Sequence, residues 1–268
     1  MDQLALILQA VILLSSLAVW GMILERLSTG ESLIERPVPA TRPRPWFAIL
    51  MVVALVMLSC SGQYQQSRNT PVPQIFDADK TLLFMASNVG EQVLIFCLML
   101  VGLTRLGSQR LTRFGIDGRH WEEELGIGLL GWLAAIIPVL IANVSMFQFR
   151  GDDNQHIFLQ ILQSQQSLPL VGLMVASAVV MAPLGEELMY RVILQGTLQR
   201  YFSPTASILI SASLFSAVHG FPDAVGLFPL ALILGYLYWR TGSYLAIVTT
   251  HAAFNAVTVI FTLISPEG

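Results

Sequence analysis

Residues 168–191 read LPLVGLMVASAVVMAPLGEELMYR. No charge interrupts the run from Leu168 to Gly185. Then Glu186 and Glu187 arrive together, with Arg191 four residues after the second. A bilayer-spanning helix needs about 20 apolar residues, so the run has nearly the required length. A carboxylate at the centre of such a helix costs roughly 2.5 kcal/mol or more, so it needs a partner or a purpose. Here two occur side by side, and two histidines, His219 and His251, sit in later apolar stretches.

Working outward, the rest of the chain has the same character. Of 268 residues, 54% are hydrophobic and 12% charged, and the mean hydropathy is +0.67. Globular proteins carry about 25% charged residues, so this composition describes a polytopic membrane protein. Eight apolar segments are predicted, near 4–24, 46–60, 82–104, 125–147, 168–189, 205–219, 224–239 and 244–264. The expected fold is all-α, with about eight transmembrane helices and a catalytic bundle in the last four. The second, sixth and seventh segments are short for a full crossing. The opening MDQ carries an acid and no cation, which argues against a cleaved signal peptide.

Cations set the expected orientation. With the N-terminus outside, the cytoplasmic side holds Arg26, Arg36, Arg42, Arg44, Arg105, Arg110, Arg113, Arg119, Arg191, Arg200 and Arg240. The outer side holds Arg68, Lys80 and Arg150, so the count is 11 against 3. Cys60 and Cys97 lie in apolar runs and read as small buried hydrophobes, with no zinc-type spacing.

The chain divides into 1–150, N-terminal helices of unclear role, and 151–268, the catalytic bundle. Residues 25–45 form a Pro- and Arg-rich loop, and 149–167 have the alternation of an amphipathic interfacial helix. Asn88, Glu91 and Gln92 make a polar cluster in the third segment, read either as interhelical hydrogen bonding or as a cavity wall.

Three patterns carry the chemistry. In Glu186-Glu187-x-x-x-Arg191, Glu187 and Arg191 are i and i+4 on a helix and can pair. Glu186 then points about 100° away, free to face a cavity. Pro183 and Gly185 loosen the backbone just upstream and would let water approach. Phe215-x-x-x-His219 puts a ring and an imidazole on one face. His251-x-x-x-Asn255 does the same with an imidazole and an amide. Taken singly, each also reads as a helix-end charge cluster, a capped histidine or polar glue between helices. A helical hairpin folded at Phe202-Ser203-Pro204 places Glu186 and His219 at one height. His251 fits less well, falling about 12 Å short if helices seven and eight stack with level turns. Tilt, unwinding around Gly220-Phe221-Pro222, or a partly inserted sixth helix must close that gap.

If the groups converge, a glutamate and a histidine can hold and deprotonate a water. A second histidine and an amide can donate to a developing oxyanion. That set suits amide hydrolysis. Glu186, His219 and His251 are also a ligand set a divalent metal such as zinc could use. The zinc-protease H-E-x-x-H motif is absent, as are the G-x-S-G and G-x-G-D motifs of serine and aspartyl intramembrane proteases.

These three motifs, in this order on apolar helices, resemble the CPBP family, which contains the type II CAAX prenyl endopeptidases and the Abi bacteriocin-immunity proteins. The likeness covers about residues 165–260. It implies an intramembrane endopeptidase with a glutamate-activated water. Glu186 would be the general base and His219 would position the water. His251 and Asn255 would form the oxyanion site, with Glu187, Arg191 and Phe215 in support. The resemblance implies no metal and no other cofactor, and a multi-pass protein of a bacterial inner membrane. The expected partners are the lipid bilayer and a membrane-embedded or lipidated protein or peptide. Nucleic acid is not expected, since no basic patch is interleaved with aromatics. Two rival readings are a catalytically idle scaffold of immunity type and an ion-coupled transporter using Glu186 and Glu91.

Overall fold

The computed structural model describes residues 3–34, 78–106, 111–149 and 167–264. Seven helices are found among them. They are α1 (Gln3–Thr29), α2 (Ala78–Val101), α3 (Trp121–Ser145), α4 (Leu168–Leu198), α5 (Pro204–Ala217), α6 (Asp223–Thr241) and α7 (Tyr244–Ile264). All but α5 are long and apolar enough to cross a membrane. The chain is therefore an all-α, multi-pass integral membrane protein. The segment expected at 46–60, and residues 150–166 of the interfacial helix expected at 149–167, lie outside the described residues.

These helices form because their sequences are apolar on every side, as a bilayer requires. On α1, Leu6, Ile7, Leu14, Leu17 and Leu24 are exposed, a surface suited to lipid and not to water. Cys97 on α2 is exposed as well, contrary to the buried position expected for it.

α3 occupies the middle, against α1 on one side and α6 and α7 on the other, while α4 packs on α2, α5 and α7. Small residues permit the close approach. A Cβ on Gly128 would lie 2.6 Å from both the Ala246 carbonyl oxygen and Thr249 Cβ, so α3 and α7 are nearly in backbone contact. Thr250 Oγ1 donates to the Gly128 carbonyl at 2.8 Å across the same contact. Ser16 and the Trp20 indole donate from α1 to the Leu133 and Ala134 carbonyls.

At one end of the bundle three connections meet. Arg240 donates to Ser32 Oγ and the Ile34 carbonyl, Tyr238 to the Phe114 carbonyl, and the Tyr244 N–H to the Gly115 carbonyl. Gly115, with φ at 77°, lies so close to Gly242 that no side chain would fit there. At the other end Met85, Leu170, Met174 and Val259 form a second apolar cluster.

Candidate active site

α4 is not a uniform α-helix. Its backbone widens to a π pattern over Val175–Met181, returns to α over Ala182–Glu187, and widens again over Leu188–Gln195. Such bulges in helices often mark functional sites. The single α turn between them carries both glutamates. The helix runs on to Leu198, beyond the end expected at 189. Arg191, expected at the cytoplasmic loop, is thus inside the bundle and fully buried.

The two glutamates have opposite surroundings. Glu187 and Arg191 side chains are completely buried, with Glu187 Oε2 3.4 Å from Arg191 Nε. Glu187 Oε1 accepts a 2.8 Å hydrogen bond from His251 Nδ1. Arg191 also donates to the Ala231 carbonyl on α6 at 3.5 Å, and its guanidinium lies 4.7 Å from the Phe215 ring centre. One turn further, Gln195 Nε2 donates to the Gly235 carbonyl at 2.8 Å. Glu186 keeps 30% of its side chain exposed and stands 3.8 Å from His251 Nε2.

Phe215 is the hub. Its ring meets Tyr190 at 5.3 Å, His219 at 4.9 Å and His251 at 5.7 Å between centroids. The His219 Nδ1–H donates to the Phe215 carbonyl at 2.8 Å. In the neutral rings this leaves Nε2 of both histidines as an acceptor. Asn255 Nδ2 donates to the Ala178 carbonyl at 2.7 Å, in the first π stretch of α4.

All the motif residues therefore reach one neighbourhood. Glu186, Glu187, Arg191 and His251 are in direct contact, His219 joins through Phe215, and Asn255 joins through the α4 main chain. The gap foreseen for His251 does not arise, because α7 does not meet α4 at its end. Tyr244, the first residue of α7, already donates its hydroxyl to the Leu184 carbonyl. At the α5–α6 junction the helix stops at Ala217, Gly220 takes φ 74°, and helix resumes at Asp223. Asp223 supplies the acidic residue of the first turn of α6.

Sequence reasoning missed Tyr244 and Ser177. Tyr244 is seven and eleven residues before His251 and Asn255, so helical spacing alone put all three on one face. Ser177 donates to Asn88 and Gln92, which makes that polar cluster an α2–α4 tie, while Glu91 is exposed. Glu186, His219 and His251, the ligand set left open for a divalent metal although none was expected, do not form a coordination group among the described residues. Among the described residues no three or more His, Cys, Asp or Glu do. A separate cleft of about 830 Å³ between α1, α3 and α6, lined by Trp20, Arg26, Leu130 and Tyr236, contains none of the motif residues.

A buried acid–arginine pair, a more exposed acid and two imidazoles thus lie together inside a helical membrane bundle, an arrangement with the groups that acid–base hydrolysis uses. Residues 168–257 match the family model described as Type II CAAX prenyl endopeptidase Rce1-like. The match runs from the start of α4 to just past Asn255 and supports a likeness to the CPBP membrane proteases over this region. No curated protein and no solved structure matches the chain.

Proposed function

We propose that the protein is an intramembrane endopeptidase that cleaves a membrane-associated or lipidated protein or peptide, with Glu186 as general base. The observation that carries this reading is the division of labour between the adjacent acids. Glu187 is sealed against Arg191 and His251, while Glu186 is the more open one, 3.8 Å from an imidazole nitrogen. A water held between Glu186 and His251 Nε2 gives its proton to the carboxylate as its oxygen attacks the peptide carbonyl. His219, fixed by Phe215 with Nε2 available, helps to orient that water. In the form of His251 that has taken a second proton from solution at Nε2, that N–H donates to the oxyanion of the tetrahedral intermediate, and Glu186 and His219 hold the water. Glu186 then passes its proton to the departing amine, and a carboxylate and a free amine result. Glu187 keeps the imidazole aimed and balances Arg191. Asn255 spends one amide N–H on the Ala178 carbonyl, which ties α7 to α4 beside the glutamates.

The proposed setting is a bacterial inner membrane with the N-terminus outside. With Arg191 moved into the bundle, the loop cations count 11 − 1 = 10 against 3, which keeps the same orientation. The test compares membrane-protein terminal peptides from native cells carrying wild type or Glu186→Ala at equal expression. New termini present only with wild type are the expected result. Identical sets from both would refute the endopeptidase reading.

A further inference from the structure

Helical carbonyls in a membrane need internal donors, because no water replaces them. In the first π stretch of α4 the Ala182 N–H reaches back five residues to the Ser177 carbonyl. The next bond in that pattern would run from residue 183 to the Ala178 carbonyl. Residue 183 is proline and has no N–H. The donor that the Ala178 carbonyl receives instead is Asn255 Nδ2, at 2.7 Å, from the neighbouring helix.

We propose that Asn255 is a positioning residue whose amide stands in for the backbone donor that Pro183 lacks, and so holds the helical register that aims Glu186. The α turn carrying the glutamates starts just after this point. At its far side, the Leu184 carbonyl takes a second bond from Tyr244, beside the one from the Leu188 N–H. Tyr244, His251 and Asn255 share one face of α7, so a single helix grips α4 at Leu184, Glu187 and Ala178. The grip matters because one residue of register turns a helix by about 100°. A slip of that size in one sense would carry Glu186 into the buried direction that Glu187 now holds, and in the other would bring Glu187 to the open one. The kinetic part of this inference rests on the endopeptidase reading, and the structural part does not.

The test is a double-mutant cycle on the full chain in lipid nanodiscs, with Asn255→Ala, Pro183→Ala and both together. Two quantities are read: the thermal unfolding midpoint, and kcat and KM on a quenched-fluorescent CAAX peptide with a farnesylated cysteine. Asn255→Ala is expected to lower the midpoint and to reduce kcat about tenfold or more with little change in KM. Pro183→Ala restores an N–H at residue 183, so the double variant is expected to regain the midpoint and most of kcat. A double variant that still unfolds like Asn255→Ala overturns the proposal. So does one that regains its midpoint but not kcat, since the amide would then act on the reacting atoms. If wild type leaves the farnesylated peptide intact, the endopeptidase reading is what suffers on that probe, and the midpoints still decide the role of Asn255.

Discussion

Glu186 and Glu187 are neighbours in sequence, yet the environment gives them different tasks. A buried charge is tolerated when another charge and hydrogen bonds answer it, and removing one partner strands the other. Glu187 answers both Arg191 and His251, so Glu187→Gln leaves the Arg191 guanidinium uncompensated among apolar helices. The expected loss is about 3–5 kcal/mol of stability, read by thermal or denaturant unfolding in nanodiscs. Glu186 is partly exposed, and its neutral isostere strands no buried charge. Glu186→Gln should stay within about 0.5 kcal/mol of wild type in the same experiment while peptide cleavage is lost. Equal destabilisation by both substitutions would contradict the assignment of one structural and one chemical acid.

At the scale of the element, prolines organise this bundle by what they remove. Pro138 lies inside α3, and in α-helical register its missing N–H would have served the Ala134 carbonyl. The Trp20 indole on α1 supplies that bond at 3.1 Å, as Asn255 supplies the one at Ala178. Trp20→Phe keeps the aromatic bulk and removes the donor, so it should cost about 0.6–1.7 kcal/mol, the range for interhelical bonds in membranes. Adding Pro138→Ala should recover most of it, and no recovery in unfolding measurements would break the link. Both prolines are visible in the sequence, yet the helices that compensate them are not, since nothing local says which donor lies opposite. The same limit explains what was legible elsewhere. The i, i+4 pairing of Glu187 with Arg191 and the outward turn of Glu186 follow from helical spacing, and the structure has both. The meeting of α7 with α4 at Leu184 depends on packing at Gly128 and on two π stretches, which leave no periodic trace. Level turns were therefore assumed, and His251 was placed too far away.

For the molecule as a whole, the helices that carry the motifs do not stand alone. α3 comes from the first half, and its Gly128 lets α7 approach closely enough for His251 to reach Glu187. Gly128→Val should push α7 outward, costing about 1–3 kcal/mol in unfolding and abolishing cleavage without touching a motif residue. The bundle also fixes which ends share a side. The bonds from Arg240, Tyr238 and Tyr244 gather residues 30–34, 111–118 and 240–244 at one end. Phe149 meets Phe221 edge to face at 5.6 Å between ring centres, and Leu170 packs with Val259 at the opposite one. Single cysteines placed at the exposed positions Glu31, Gly118 and Ser203, in a chain freed of Cys60 and Cys97, should therefore behave alike. With the cation-rich end in the cytoplasm, an impermeant maleimide should label them only after the cells are permeabilised. Cysteines at Gln148 and Ser167 should label in intact cells. A full inversion of this pattern would keep the bundle and reverse its orientation, whereas a split among Glu31, Gly118 and Ser203 would mean that these connections do not share a membrane face.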